Sequence, residues 1–383
     1  MLVQTAPDVS DKLALQADNA RLEAAGDDPR SERVPSSPSS RDIRGCIANL
    51  TTPTGKIAVL KAMVTTACEQ DCAYCPFRAG RDMRRVTFKP DELAAAFDQV
   101  RRAGLVRGLF LSSSVAGGGP RTQDKLIETV EIVRRRYGFA GYVHLKIMPG
   151  AEYDQVRRAM QIADRVSVNL EAPNGQRLAG LCPHKDFEQD LLERLGWAER
   201  IRREEGLRAS STTQFVVGAA DESDVELLSI TAYLYSRLGL RRAYYSAFSP
   251  VPDTPLENLS PESPLRQHRL YQSSFLLRDY GFDVEELSFE PTGNLPLDVD
   301  PKLAWARDHL TEAPVDVNSA TRRELLRVPG IGPRGADAIL RARQIGRLRD
   351  ISDLRGLGVR GVDRVAPFIL VGGRRPPRQL PLF

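Results

Sequence analysis

Cys68, Cys72 and Cys75 lie within CEQDCAYC, directly after an apolar run of β type, and the C-x3-C-x2-C spacing puts three thiolates on one short loop. Three thiolates can hold three corners of a [4Fe–4S] cube and leave the fourth iron without a protein ligand. An open iron is a place for chemistry. Structural zinc fits less well, because it takes four ligands in two pairs and no second Cys or His pair stands nearby; His144 and His184 are distant and separate. Only Cys46 and Cys182 remain of five cysteines in 383 residues, too few for a disulfide framework, which implies a reducing compartment.

The elements that must position this loop alternate between β-branched or apolar runs and amphipathic helical stretches from about Arg44 to Gly281, the pattern of a parallel sheet wound with helices. Six strands are expected, at 56–65, 108–113, 142–148, 165–171, 212–217 and 242–248, with helices starting near Pro90, Thr122, Glu152, Asp186, Glu222 and Pro264. Six βα units are too few for a closed eight-fold barrel and fit a partial (β/α)6 TIM-like barrel, with chemistry at the C-terminal ends of the strands. Residues 1–43 read as a disordered arm, because VPSSPSSRD and its surroundings bury little apolar surface. The barrel is expected over 44–285 and a linker over 286–312. No uninterrupted apolar stretch approaches a membrane span and no secretory leader pattern opens the chain, so the sequence reads as cytoplasmic with no membrane partner.

The net charge of +4 is unevenly spread: from Ala313 to Phe383 there are 14 Arg against 6 Asp and Glu, an excess of +8, leaving −4 for the rest. This basic end contains DVNSATRRELLRVPGIGPRGADAILRAR. Ser319 or Asn318 can cap a helix through Val328, Pro329 stops it, and Gly330 and Gly332 flank Ile331 in a tight turn before a second helix begins at Pro333. Two short helices joined by Pro-Gly-Ile-Gly resemble the helix-hairpin-helix of DNA repair nucleases and ligases, and a weaker copy follows with Gly356 and Gly358. Glycines let backbone N–H groups meet a phosphate, with Arg327, Arg334 and Arg341 adding charge, so the all-α domain at 313–372 is expected to bind DNA without reading bases. Such hairpins also serve as protein contacts; the basic excess favours nucleic acid.

The cysteine spacing, with Tyr74 before the last cysteine, resembles the cluster loop of radical S-adenosylmethionine (SAM) enzymes. There the open iron chelates SAM, whose reductive cleavage yields methionine and a 5′-deoxyadenosyl radical. CAYCPFR, GLFLSS, GYVHLKIMPGA, ADRVSVNLE, DPKLAWA and ELLRVPGIG, in this order, make residues 44–372 similar to the DNA modification or repair radical SAM protein family. The resemblance implies a [4Fe–4S] cluster and SAM as cofactors, and a reductase, flavodoxin or ferredoxin as electron donor. It makes Tyr74, Ser112, Ser113, Lys146, Asn169 and Glu171 candidates for holding SAM. FLSSSVAGGG departs from the usual Gly-Gly-Glu at the second strand. Lys146 reads equally well as a barrel lysine paired to a carboxylate, and Asn169 and Glu171 as an ordinary polar strand end. Cys182 is a candidate hydrogen donor to a substrate radical, although a small apolar filler is the plainer reading.

The implied activity is modification or repair of DNA, with structured RNA or a non-catalytic iron–sulfur repair or replication factor as alternatives. The tail at 373–383 ends in Gln379, Leu380, Pro381, Leu382 and Phe383, which resembles the short peptide by which bacterial repair proteins bind the replication sliding clamp.

Overall fold

The computed structural model describes residues 8–20, 43–52, 55–359 and 361–377. Helix α1 (Val9–Ala20) precedes strands β1 (Ile47–Thr52) and β2 (Gly55–Met63). Then come α2 (Pro90–Arg102), β3 (Gly108–Ser112), α3 (Gly119–Arg135), β4 (Tyr142–Lys146), α4 (Tyr153–Ile162), β5 (Arg165–Ser167), α5 (Gly175–Leu181), α6 (Glu193–Glu204), β6 (Ser210–Val217), α7 (Asp224–Tyr233), β7 (Arg242–Ala247) and α8 (Pro264–Asp279). The sheet runs in sequential order from β1 to β7, with β2 to β7 parallel. It is the curled partial barrel expected from the alternating pattern. The strand β1 was not foreseen: it lies antiparallel to β2, Ile47 opposite Leu60.

Parallel strands under helices should read as apolar runs, and one face does. Leu60, Leu109, Val143, Leu145, Val166 and Ala243 are all fully buried. The opposite face, with Lys61, Phe110, Lys146, Arg165, Gln214, Arg242 and Tyr244, is half-buried. One glycine is dictated by close approach: a Cβ on Gly119, at the start of α3, would lie 1.9 Å from the Pro149 carbonyl oxygen.

The expectation of a disordered arm fails in part, because residues 9–20 form α1 and bury Leu13, Ala14 and Ala17. Short apolar side chains spaced three and four apart were enough to give the helix a packed face. Gln16 then does what a neighbouring strand would do: its Nε2 donates to Met63 O at 2.5 Å and its Oε1 accepts from Met63 N at 3.1 Å. Lys12 pairs with Glu92 of α2 at 2.7 Å.

The chain divides into two compact units, Met1–Glu222 with Tyr233–Gln267, and Ser223–Ala232 with His268–Phe383. The second unit therefore starts earlier than a domain at 313, and the segment expected as a linker carries α9 (Pro301–His309), capped by Asp300 Oδ1 accepting from Lys302 N and Leu303 N at 3.0 and 3.1 Å. After β8 (Val315–Asp316) come α10 (Arg322–Arg327), α11 (Pro333–Ile345), α12 (Ile351–Gly356), α13 (Val362–Val365) and β9 (Ile369–Leu370), with β8 and β9 parallel. Thr321, not Ser319 or Asn318, caps α10, its hydroxyl accepting from Glu324 N while Glu324 reaches back to Thr321 N. Asn318 is committed elsewhere, bonding both Leu348 O and Leu348 N at 3.0 and 2.9 Å.

Gln16→Ala leaves both backbone groups of Met63 buried without partners. It is expected to lower the stability of the barrel unit by about 2–6 kcal/mol, at about 1–3 kcal/mol per orphaned group, as urea titration will show.

Candidate iron–sulfur loop and nucleic-acid interface

The cysteines occupy a loop that leaves β2 and returns to its own start. Thr65 and Thr87 form an antiparallel bridge, Thr66 N donates to Val86 O at 2.9 Å, and Val86 N donates to Thr66 Oγ1 at 2.9 Å. Inside that closure the backbone has little regular structure, so its carbonyls need other donors. Arg85 supplies them: Nη1 donates to Thr66 O at 2.7 Å and Phe77 O at 2.6 Å, and Nη2 to Arg78 O at 2.8 Å and Arg81 O at 3.2 Å. One guanidinium thus ties Thr66, two residues before Cys68, to residues after Cys75. Sequence reasoning missed Arg85, which in RDMRRV looks like ordinary surface charge.

The loop is also fastened to its neighbours. Ala73 N donates to Leu181 O at 2.8 Å, and Glu69 N to Val115 O at 2.9 Å. The Glu69 carboxylate accepts from Gly117 N and Gly118 N at 3.0 and 2.9 Å. The turn after β3, which lacks the expected Gly-Gly-Glu, therefore receives its carboxylate from the cysteine loop itself. Ser112 and Ser113 are buried at this strand end, and Ser113 Oγ donates to Ser114 O at 2.7 Å.

Cys75 Sγ accepts a hydrogen bond from Phe77 N at 3.4 Å. Burial first, then the neighbouring Cys72 and Cys68, pushes the Cys75 thiol up to about 12. Cys72 moves the other way, to about 6: a hydrogen bond from Cys182 outweighs burial, and Lys185 assists. Among the described residues no three Cys, His, Asp or Glu side chains converge on a single ion. A cubane does not ask for that, since each thiolate binds a different iron and the sulfurs stand apart. Three thiols within one another's field, an N–H aimed at Sγ and the Lys185 cation beside them fit a [4Fe–4S] cluster.

Cys182 follows α5 and is fully buried, close enough to Cys72 to help hold that thiol down. Lys185, three residues on, was missed; its Nζ is 3.5 Å from Glu171 Oε1. Burial and then Glu171 hold the Tyr74 phenol well above its ordinary pKa.

Glu171 departs from the simple strand assumed for it. Regular pairing of β5 stops at Ser167, and Glu171 returns to the sheet as one bridge to Phe215 with φ +65. The left-handed residue breaks the two-residue alternation that was to place Asn169 and Glu171 on one face. Glu171 is 4% exposed and its Oε2 has no hydrogen-bond partner, whereas Asn169 is half-buried. The left-handed backbone and the buried oxygen without a partner set Glu171 apart from its neighbours. Lys146 ends β4 on the half-buried face, next to Ser167 of β5.

In the second unit Gly330 has φ +88, a conformation that requires glycine, and Ile331 N donates to Val328 O at 3.1 Å. A Cβ on Gly332 would lie 3.3 Å from the Tyr280 hydroxyl. Arg334 and Arg341 are exposed on α11. Arg327 is not: it is 5% exposed, its Nη2 bonds Gly281 O and Glu286 Oε2 at 2.9 and 2.8 Å, and its guanidinium stacks 3.6 Å from the Phe282 ring centroid. It is a structural cation rather than a phosphate contact, held there because an Arg planar group can stack and fork at once. Lys302 of α9 is buried too and donates to Ile331 O at 2.6 Å, fixing the hairpin from behind. The tail residues Gln379, Leu380, Leu382 and Phe383 lie outside the described residues.

The radical SAM superfamily model matches residues 63–231, and a helix-hairpin-helix model matches residues 311–370. The chain carries a radical SAM domain and a helix-hairpin-helix domain. Radical SAM proteins use a [4Fe–4S] cluster with SAM and need an electron donor. Among solved structures, methylornithine synthase is 15% identical with a TM-score of 0.46, covering 56% of this chain and 60% of its own. The [FeFe]-hydrogenase maturase from Carboxydothermus hydrogenoformans is 14% identical with a TM-score of 0.45, covering 56% and 50%. The radical SAM methyltransferase TsrM from Kitasatospora setae, with tryptophan substrate and a SAM analogue bound, is 13% identical with a TM-score of 0.40, covering 51% and 37%. The match thus spans at most about 60% of these chains. No curated protein is matched. Among the described residues no helix is long and apolar enough to cross a membrane.

Two outcomes follow from this geometry. Arg85→Ala should cost the radical SAM domain most of its iron and sulfide after anaerobic reconstitution, and Arg85→Lys an intermediate share, since an ammonium is a point donor without the guanidinium fork; chemical iron and sulfide assays decide it. Burial holds Lys302 down at about 7, so above that pH the folded unit binds fewer protons than the unfolded chain, and stability rises with pH until about 10. Lys302→Met should flatten that rise, read from Trp305 fluorescence during denaturation in a Trp197→Phe background.

Proposed function

We propose that the protein is a radical SAM enzyme whose substrate is DNA. The observation that carries the reading is the pairing, in one chain, of a fastened three-cysteine loop with two hairpins whose glycine turns and exposed arginines suit a phosphate backbone.

When bound and reduced, the cluster and SAM supply a 5′-deoxyadenosyl radical that abstracts hydrogen from substrate. Cys68, Cys72 and Cys75 would hold the cluster, and Arg85 keeps their loop in shape. Glu171, with its orphaned Oε2, offers a buried acceptor for ribose hydroxyls, and Lys185 Nζ stands 3.5 Å from its other oxygen. Ser112 and Ser113 border the same strand ends, Lys146 stands on the half-buried side of the sheet, and Asn169 is half-buried just past β5. Gly330 and Gly332 leave backbone N–H groups open to a phosphate while Arg334 and Arg341 neutralise charge. A base inside a duplex must leave the stack to meet a reactive group in a closed site, so damaged or single-stranded positions are favoured. The last five residues would recruit the replication sliding clamp through Leu382 and Phe383.

Reconstituted protein should cleave SAM on reduction, and Cys72→Ala should abolish cleavage. Duplex binding should weaken steeply with salt and show no marked sequence preference. Gly332→Val, which meets Tyr280, should weaken that binding about tenfold, equivalent to about 1.4 kcal/mol, while SAM cleavage persists. Salt-insensitive duplex binding, or none, overturns the substrate.

A further inference from the structure

The half-buried face of the barrel sheet has a charge pattern that neither domain assignment explains. Strand register puts Lys61, Phe110, His144, Arg165 and Ser210 on one level across five adjacent strands. Two residues further along, Lys146, Ser167, Thr212 and Arg242 form the next level. A third level brings Gln214 beside Tyr244. Side chains two apart in a strand, and those paired across parallel strands, share a face. Four basic side chains, Lys61, Lys146, Arg165 and Arg242, therefore share it, each with contacts of its own.

The polar groups between the cations are placed to orient them. Arg165 Nη1 donates to the Tyr244 hydroxyl at 3.3 Å, its Nε to Ser210 Oγ at 3.4 Å, and the Arg242 guanidinium lies 4.7 Å from the Tyr244 ring centroid. His144 bonds Ser167 Oγ through Nε2 at 3.0 Å and stacks on Phe110 with centroids 4.4 Å apart. Burial first, then Arg165 and Lys146, holds His144 neutral. The other face of these strands is apolar and sealed, whereas Lys61, Lys146, Arg165, Gln214, Arg242, Tyr244 and Ser246 keep partial exposure. Cations gathered in a curved, partly desolvated face raise the local concentration of anions and bind them more strongly than surface charges do.

We propose that this inner face binds a phosphate of the substrate nucleotide, with Arg165 and Arg242 as forked donors and Lys61 and Lys146 as point charges. The assignment rests on the nucleic-acid reading and narrows it: the group that enters the barrel is an anionic nucleotide unit, not a neutral nucleoside. Planar arginines suit two phosphate oxygens at once, and the Tyr244 hydroxyl, already bonded to Arg165, holds that fork in place.

Calorimetry on full-length, anaerobically reconstituted protein tests it, with a 5′-phosphorylated thymidine dinucleotide, thymidine and inorganic phosphate as separate titrants. The phosphorylated dinucleotide should bind at least tenfold more tightly than thymidine and than inorganic phosphate. Arg165→Gln and Arg242→Gln should each weaken it about tenfold and make the salt dependence shallower by about 0.7 per cation removed. Arg165→Lys should recover most of the affinity, and Arg135→Gln, an exposed charge on α3, should change nothing. Equal binding of thymidine and the dinucleotide, or an unchanged double Gln variant, overturns the proposal. Inorganic phosphate matching the dinucleotide overturns the nucleotide as its source. Duplex binding in the same samples reads the other claim separately: duplex bound with an indifferent barrel removes only the pocket, and neither bound removes the nucleic-acid reading itself.

Discussion

A loop that must present three thiolates has almost no regular hydrogen bonding of its own, and the Arg85 guanidinium supplies what the backbone lacks. Four carbonyls, from Thr66, Phe77, Arg78 and Arg81, converge on it from both sides of the cysteines. Charge-assisted bonds of this kind are stronger than neutral ones, and the planar fork fixes directions as well as distances. Gln16 secures the strand before the loop, Glu69 ties the loop to the glycine turn after β3, and Leu181 O holds Ala73. Every other feature of the site, from the Cys72–Cys182 contact to the field at Tyr74, presupposes a loop held in one shape.

The sheet then divides labour by face. Its outer face is closed by helices and carries the hydrophobic stabilisation. Its inner face carries Lys61, Lys146, Arg165 and Arg242 around the buried His144, Ser167 and Thr212. The second unit uses the same economy on a smaller scale: Arg327, Phe282, Trp305 and Lys302 brace the hairpin from within, while Arg334 and Arg341 remain outside. Buried and exposed arginines in one basic segment thus serve different ends.

The parallel barrel strands, the cysteine loop and the two hairpins were legible because each depends on local signals: β-branched runs, fixed cysteine spacing and glycine turns. What was not legible depends on distant partners. Helix α1 is weakly patterned and gains its place from Gln16 meeting Met63, 47 positions away. The segment 286–312 looked like a linker because its Pro, Gly and Asp content resembles one, yet α9 packs through Trp305 and Lys302. Arg327 looked like a DNA contact because sequence shows charge and not orientation. The loss of alternation at Glu171 follows from a positive φ that no side-chain pattern announces.

The proposed reaction moves hydrogen from DNA to the fragment of SAM made at the cysteine loop. Reduced, reconstituted enzyme incubated with SAM and a single-stranded oligonucleotide deuterated at its carbon-bound positions provides the direct measurement, with mass spectrometry of the 5′-deoxyadenosine formed. Deuterium in that product is the result predicted. Abundant 5′-deoxyadenosine that stays unlabelled across oligonucleotides of every base composition, damaged and intact, would contradict it.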